Sequence, residues 1–186
     1  MAQFARPDGH DNNDGEWETE AGEDADLYQE IDEASTDDDD YVTKVGDGSN
    51  SFAATFTLGN VTDPSSSSGH KVVYRALGND GGMGMGGSGP QLRVDLLEGS
   101  TSRANWTVTP PTSATNYEKT LSTSEANSIT DYTNLKLKIT LVTNGVGGET
   151  LRVHQAYFEC PDAGGGGGGD SLQALSGLSA LSGLSV

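Results

Sequence analysis

Four consecutive aspartates, Asp37-Asp38-Asp39-Asp40, are the densest set of potential metal ligands in the chain. Carboxylate oxygens suit hard cations such as calcium. Successive residues of an extended chain point in opposite directions, however, so four in a row converge on one ion only through a tight turn. No D-x-[DN]-x-[DN]-G loop accompanies them. The run therefore reads as a solvated connector, and no metal is expected. Gly82, Gly84 and Gly86 stand at G-x-G spacing, but a phosphate cradle needs a preceding strand and a following helix. Here Pro90 and a strand follow, which removes that reading and leaves Met83 and Met85 as adaptable apolar contacts in a glycine-rich loop.

The remaining reactive side chains are scattered. His10, His70 and His154 have no ligand spacing. Cys160, the single cysteine, has no basic neighbour in sequence to lower its pKa and can form no intrachain disulfide. Trp106 and Tyr117 are the residues best suited to stack on a sugar ring, and core packing or interface anchoring would explain them as well. No set of residues reads as an active site, so neither catalysis nor a cofactor is expected.

The elements that must carry these residues are strands. SFAATFTL (51–58) alternates Phe52, Ala54, Phe56 and Leu58 against threonines, the period of a half-buried strand. HKVVYRAL (70–77), QLRVDLLEG (91–99), ANWTVTP (104–110) and YEKTLS (117–122) follow. NLKLKITLVTN (134–144) sets Leu135, Leu137, Ile139 and Leu141 on one face. TLRVHQAYFEC (150–160) sets Leu151, Val153, Gln155 and Tyr157 on one face. Between these strands, TSEANSITDY suggests a turn of helix capped by Ser124, with Ala126 and Ile129 inward. Alternation on single faces predicts an all-β antiparallel sandwich, of jelly-roll or immunoglobulin-like strand order.

Charge divides the chain. The net charge is −18 over 186 residues, and residues 1–40 hold 16 acidic side chains against Arg6 alone. Residues 1–26 are expected to form an acidic extended arm that cannot bury enough apolar surface to order itself. The sandwich is expected over 27–162, a glycine-rich linker over 163–171, and a distinct tail over 172–186. The nearly balanced body lacks the basic face that nucleic acid requires. No apolar run approaches the roughly 20 residues needed to cross a bilayer, and MAQFARPDGH has no signal-type apolar region, so the chain reads as soluble. In the tail, Leu172, Leu175, Leu178, Leu181 and Leu184 recur every third residue, which neither helix nor strand keeps on one face. A threefold extended conformation would do so and could pack in a neighbour's groove or around a trimer axis; a low-complexity linker is the alternative.

Taken together, LYQEIDEASTDDDDYV, GHKVVYRA, LRVDLLEG, YEKTLSTSEANSITDYTNLKLKI and LRVHQAYFECP resemble a recurrent β-sandwich segment of tailed-bacteriophage virion proteins. The resemblance covers residues 27–161. It implies a structural role on the particle, first as a capsid decoration protein contacting the major capsid protein or other virion proteins, and carries no catalytic residues. Leu27, Tyr28 and Ile31 would dock on the sandwich, the aspartates would form an exposed bend, and Tyr41 and Val42 would resume the fold. The alternatives are a tail, neck or fibre-attachment adaptor, or a carbohydrate-binding module using Trp106, Tyr117 and the loops. Candidate contact residues are Met83, Met85, Trp106 and the five tail leucines, with a homotrimer as the expected oligomer.

Overall fold

The computed structural model describes residues 1–14, 16–81, 89–142, 145 and 147–163. The cleanest alternation in the sequence becomes strand β10 (Leu135–Val142), in which Leu135, Leu137, Ile139 and Leu141 are all buried. Their partners are β5 (Phe52–Leu58) and β7 (Gln91–Glu98), and β8 (Thr101–Val108) closes that sheet on one side. The facing sheet contains β4 (Val42–Asp47), β6 (Lys71–Asn79), β9 (Thr115–Thr120) and the long β11 (Gly147–Pro161), in the order β4-β11-β6-β9.

The pairing is nested. β4 pairs with β11, β5 with β10, β6 with β9, and β7 with β8, all antiparallel. That is the strand order of an eight-stranded jelly roll, an architecture shared by viral capsid and lectin domains. Phe56, Leu92, Leu96 and Ile139 from one sheet and Val72, Tyr74, Val153 and Phe158 from the other meet in a single core.

Residues 1–26 depart from expectation. They are extended, but they do not stand apart from the sandwich. β1 (Ala2–Ala5) pairs with the C-terminal part of β11, β2 (Pro7–Asn12) pairs with β5, and β3 (Glu18–Thr19) pairs with β4. Both sheets therefore gain strands from the acidic segment, and the boundary drawn at Leu27 does not exist in the fold. Composition hid the reason. Trp17 is 0% exposed and its indole donates to the Phe52 carbonyl at 3.2 Å, while Asn13 holds the Trp17 backbone from both sides at 2.8 Å. The acidic side chains face water, and edge-strand pairing satisfies backbone groups whatever the side chains carry.

β11 also differs. A bulge at His154 breaks the period, because Val153 pairs with Ala76 and Gln155 with Arg75, leaving one residue extra. The inward set is Leu151 and Val153 before the bulge and Ala156, Phe158 and Cys160 after it, so Tyr157 faces outward, contrary to the simple alternation. The short helix α1 (Thr123–Ser128) is capped by Ser122 rather than Ser124. Ser122 and Glu125 form a reciprocal capping box, with Ala126 and Ile129 buried as expected.

The segment from Leu27 to Tyr41 straps the bulge. Leu27 and Ile31 are fully buried, Tyr41 nearly so, and Tyr28 packs against the core. Asp38 grips the Arg75 guanidinium through both carboxylate oxygens, the second at 2.7 Å, and the Asp39 amide donates to Asp37 Oδ1 at 2.9 Å. The aspartate run is thus a turn whose second member is a clamp.

Candidate binding face

The side chains singled out in the sequence fall into two groups. Met83, Met85, Leu172, Leu175, Leu178, Leu181 and Leu184, with the linker, lie outside the described residues. Trp106 lies on the inward side of β8, half-buried and packed against the core with Val108 and Tyr117. Tyr117, on edge strand β9 of the other sheet, stacks on buried Tyr74 with ring centroids 5.1 Å apart and planes 16° apart. Among the described residues no ring contact joins Trp106 to Tyr117, so the two do not form a shared stacking platform.

Accessible aromatic surface occurs elsewhere, on the outward face of the six-stranded sheet. Phe4 on β1 is 46% exposed. It meets Tyr157 of β11 edge to face, with centroids 5.9 Å apart and planes at 68°. Arg6 lies near both rings, its guanidinium carbon 5.4 Å from the Phe4 centroid and 5.7 Å from that of Tyr157. Such contacts orient a cation toward the negative face of a ring.

Strand register places these groups on a grid. One row runs Phe4, Glu159, Lys71, Thr120 across β1, β11, β6 and β9. The next runs Tyr157, Val73, Glu118, and a third runs Gln155, Arg75, Asn116. Strand spacing makes the first row roughly 14 Å long across its four strands, while the strap covers the third row, where Gln155 is buried and Arg75 is held by Asp38. Lys71 pairs with Glu118 at 3.0 Å, which raises the lysine pKa through the hydrogen bond and the adjacent charge. The Tyr157 phenol is also raised, by partial burial first and then by Glu159. Among the described residues, no hydrogen bond engages the Glu159 carboxylate or the terminal guanidinium nitrogens of Arg6. Two open polar groups therefore flank two accessible rings.

The outward face of the other sheet is built differently. Arg93 grips Asp95 through both carboxylate oxygens at 2.7 and 2.9 Å, and Lys136 pairs with Asp11 at 2.9 Å. The rows there run through threonines and asparagine, and the charges are largely matched within the sheet.

The six-stranded face was not readable in the sequence. Phe4 fell in a segment read as an acidic arm, and Tyr157 was assigned to the inward side. The signal that was present is the apolar pair Phe4-Ala5 between Gln3 and Arg6, within a stretch otherwise dominated by charge.

Neither a family model nor a curated protein matches this chain. Among solved structures, the fold is similar to a mutant of a family 29 carbohydrate-binding module, at 11% identity, covering 88% of this chain and 95% of that one with a TM-score of 0.49. A family 29 module complexed with mannohexaose matches at 10% identity, with the same coverage and score. A family 36 module of a multidomain xylanase from the hindgut metagenome of Trinervitermes trinervoides matches at 14% identity, covering 88% of this chain and 99% of that one, at 0.41. At these scores the likenesses carry no ligand and no residue role over to this chain.

Proposed function

We propose that the chain is a non-catalytic jelly-roll module carried on a tailed-phage particle, and that its activity there is binding to surface glycan. The observation that carries the binding part is the pair of accessible rings, Phe4 and Tyr157, on an outward sheet face with open polar groups beside them. A pyranose presents an apolar face of C–H groups to a ring and hydroxyls to the surrounding side chains, which is the chemistry this face offers. The placement on a virion rests on the resemblance over residues 27–161. In the fold the quoted opening segment is spent on structure: Leu27, Ile31 and Tyr41 are buried, and Asp38 is committed to Arg75. The test is binding of the purified full-length protein to a panel of cell-surface polysaccharides. Retardation in a polysaccharide-containing gel supports the reading, and none across the panel sinks it.

A second reading is a capsid decoration protein, oligomeric and bound to the major capsid protein. The order of β1–β3 favours it, because these strands hold the acidic segment firmly enough to present carboxylates to a basic shell surface. Quantitative mass spectrometry of purified virions tests it. About one copy per capsid subunit indicates decoration, whereas a few per cent indicates a tail, neck or fibre component.

A further inference from the structure

Resting on the glycan-binding reading, we infer that the outward face of the six-stranded sheet, centred on Phe4, Tyr157, Arg6 and Glu159, is the binding site and that its ligand is a neutral pyranose polysaccharide.

Charge balance selects the ligand class. The groups around the rings are Arg6 and Lys71 on one side of the count and Glu118 and Glu159 on the other, so the face is locally neutral. The chain as a whole carries −18, most of it in residues 1–40, so an acidic polysaccharide gains no long-range attraction to it. A neutral sugar needs none and uses both kinds of open group. Its hydroxyls donate to the Glu159 carboxylate and accept from the Arg6 guanidinium, while Lys71 and Glu118 stay occupied with each other at 3.0 Å.

Geometry selects a chain rather than a single sugar. The face runs across four strands and is bordered by the strap, where Glu33 offers its carbonyl to Gln155 and Asp38 holds Arg75, so one sugar would leave most of it uncovered. A single sugar stacked there makes few contacts against the entropy cost of binding, and several linked sugars share that cost. The rings also meet at 68°, so only one can lie flat beneath a given sugar while the other abuts its edge. Phe4, the more exposed, is assigned the stacking role, and Tyr157 with Glu159 the flanking role.

The full-length protein, Phe4→Ala, Tyr157→Ala and Glu159→Gln are compared by affinity gel electrophoresis and calorimetry. The ligands are mannan, mixed-linkage glucan and galactan, with alginate and polygalacturonate as acidic probes. Circular dichroism and thermal melting accompany each variant, and Glu159→Gln, which removes charge without changing shape, guards against a folding artefact. The expected result is binding to at least one neutral polymer, weakened at least tenfold by Phe4→Ala and measurably by Glu159→Gln. Wild-type binding that none of the variants changes overturns this face while leaving the glycan reading intact. Absence of wild-type binding to any polymer removes both. Preference for the acidic probes overturns the neutral assignment. A concentration-dependent dimer abolished by Phe4→Ala, seen by sedimentation, assigns the face to a second copy and also overturns the proposal.

Discussion

The amide of Ala156 donates a hydrogen bond to the carbonyl of Ile31 across 3.0 Å. This contact joins the strap to the one stretch of β11 that lacks a strand on that edge. β4 pairs with β11 as far as Val153, and β1 takes over from Phe158. The bulge at His154 lies between them, and there Ile31 and Glu33 substitute for a strand: Glu33 offers its carbonyl to the Gln155 side chain at 2.7 Å. A buried amide left without this partner would cost about 1–3 kcal/mol.

The strap therefore contributes to global stability and not only to the surface. Ile31→Ala removes a fully buried side chain and is expected to cost about 2–5 kcal/mol in urea unfolding. Hydrogen exchange at the Ala156 amide should accelerate in the same variant. Unchanged exchange at that amide would show that Ile31 acts through packing alone.

The acidic N-terminal segment should behave as part of the core. Trp17→Ala is expected to destabilise the protein by about 3–5 kcal/mol. Deleting residues 1–19 uncovers the outer edges of β4 and β5 together, so lowered solubility is expected beside a lowered melting temperature. A deletion that melts like the full chain would return the segment to the role of a free arm.

Glu33 should make the protein less stable as pH rises toward neutrality. Its carboxyl is pushed up to about 7, by burial first and then by Asp32, Asp40 and Asp37, and among the described residues Oε2 has no hydrogen-bond partner. The folded state therefore binds more protons than the unfolded chain between the ordinary value of 4.5 and about 7, and stability contributed by this group is lost across that window as pH increases. Glu33→Gln should melt higher than the parent at pH 8 and show little difference at pH 4.5. Equal melting temperatures at pH 8 would rule the effect out.

Two buried imidazoles act with the opposite sign. Burial lowers the pKa of both His70 and His154 from 6.5. His70 shares a 2.7 Å hydrogen bond with the Tyr132 hydroxyl, while among the described residues the His154 ring nitrogens make no well-formed hydrogen bond and its ring lies edge-on to Tyr41. The unfolded chain binds the extra protons, so stability falls as pH drops below about 6.5. His154→Leu should reduce that acid slope at little cost at pH 8, because no hydrogen bond is lost. Tyr132→Phe should instead cost about 1–3 kcal/mol at pH 8 by leaving a buried ring nitrogen unpaired. Melting curves at pH 8 and pH 5 distinguish the two.

What the sequence by itself determined was local. Period-two alternation belongs to each strand, so β5, β6, β7 and β10 and their inward residues were legible without knowledge of their partners. The docking of Leu27 and Ile31 was implied by the resemblance, and the bend at the aspartates suits turn chemistry, which acts over a few residues. Only the tertiary structure decided the rest. Jelly-roll order depends on which strands nest, and alternation is blind to that. The bulge at His154 carries no composition signal, yet it reverses the facing of Gln155 and Tyr157. Residues 1–26 look too acidic to fold when averaged, but sheet edges need backbone groups, and one buried tryptophan anchors them. The proposed site depends on all three, since Phe4, Lys71 and Glu159 become neighbours only through the register of β1, β11 and β6, a long-range hydrogen-bonding pattern that no short window of sequence contains.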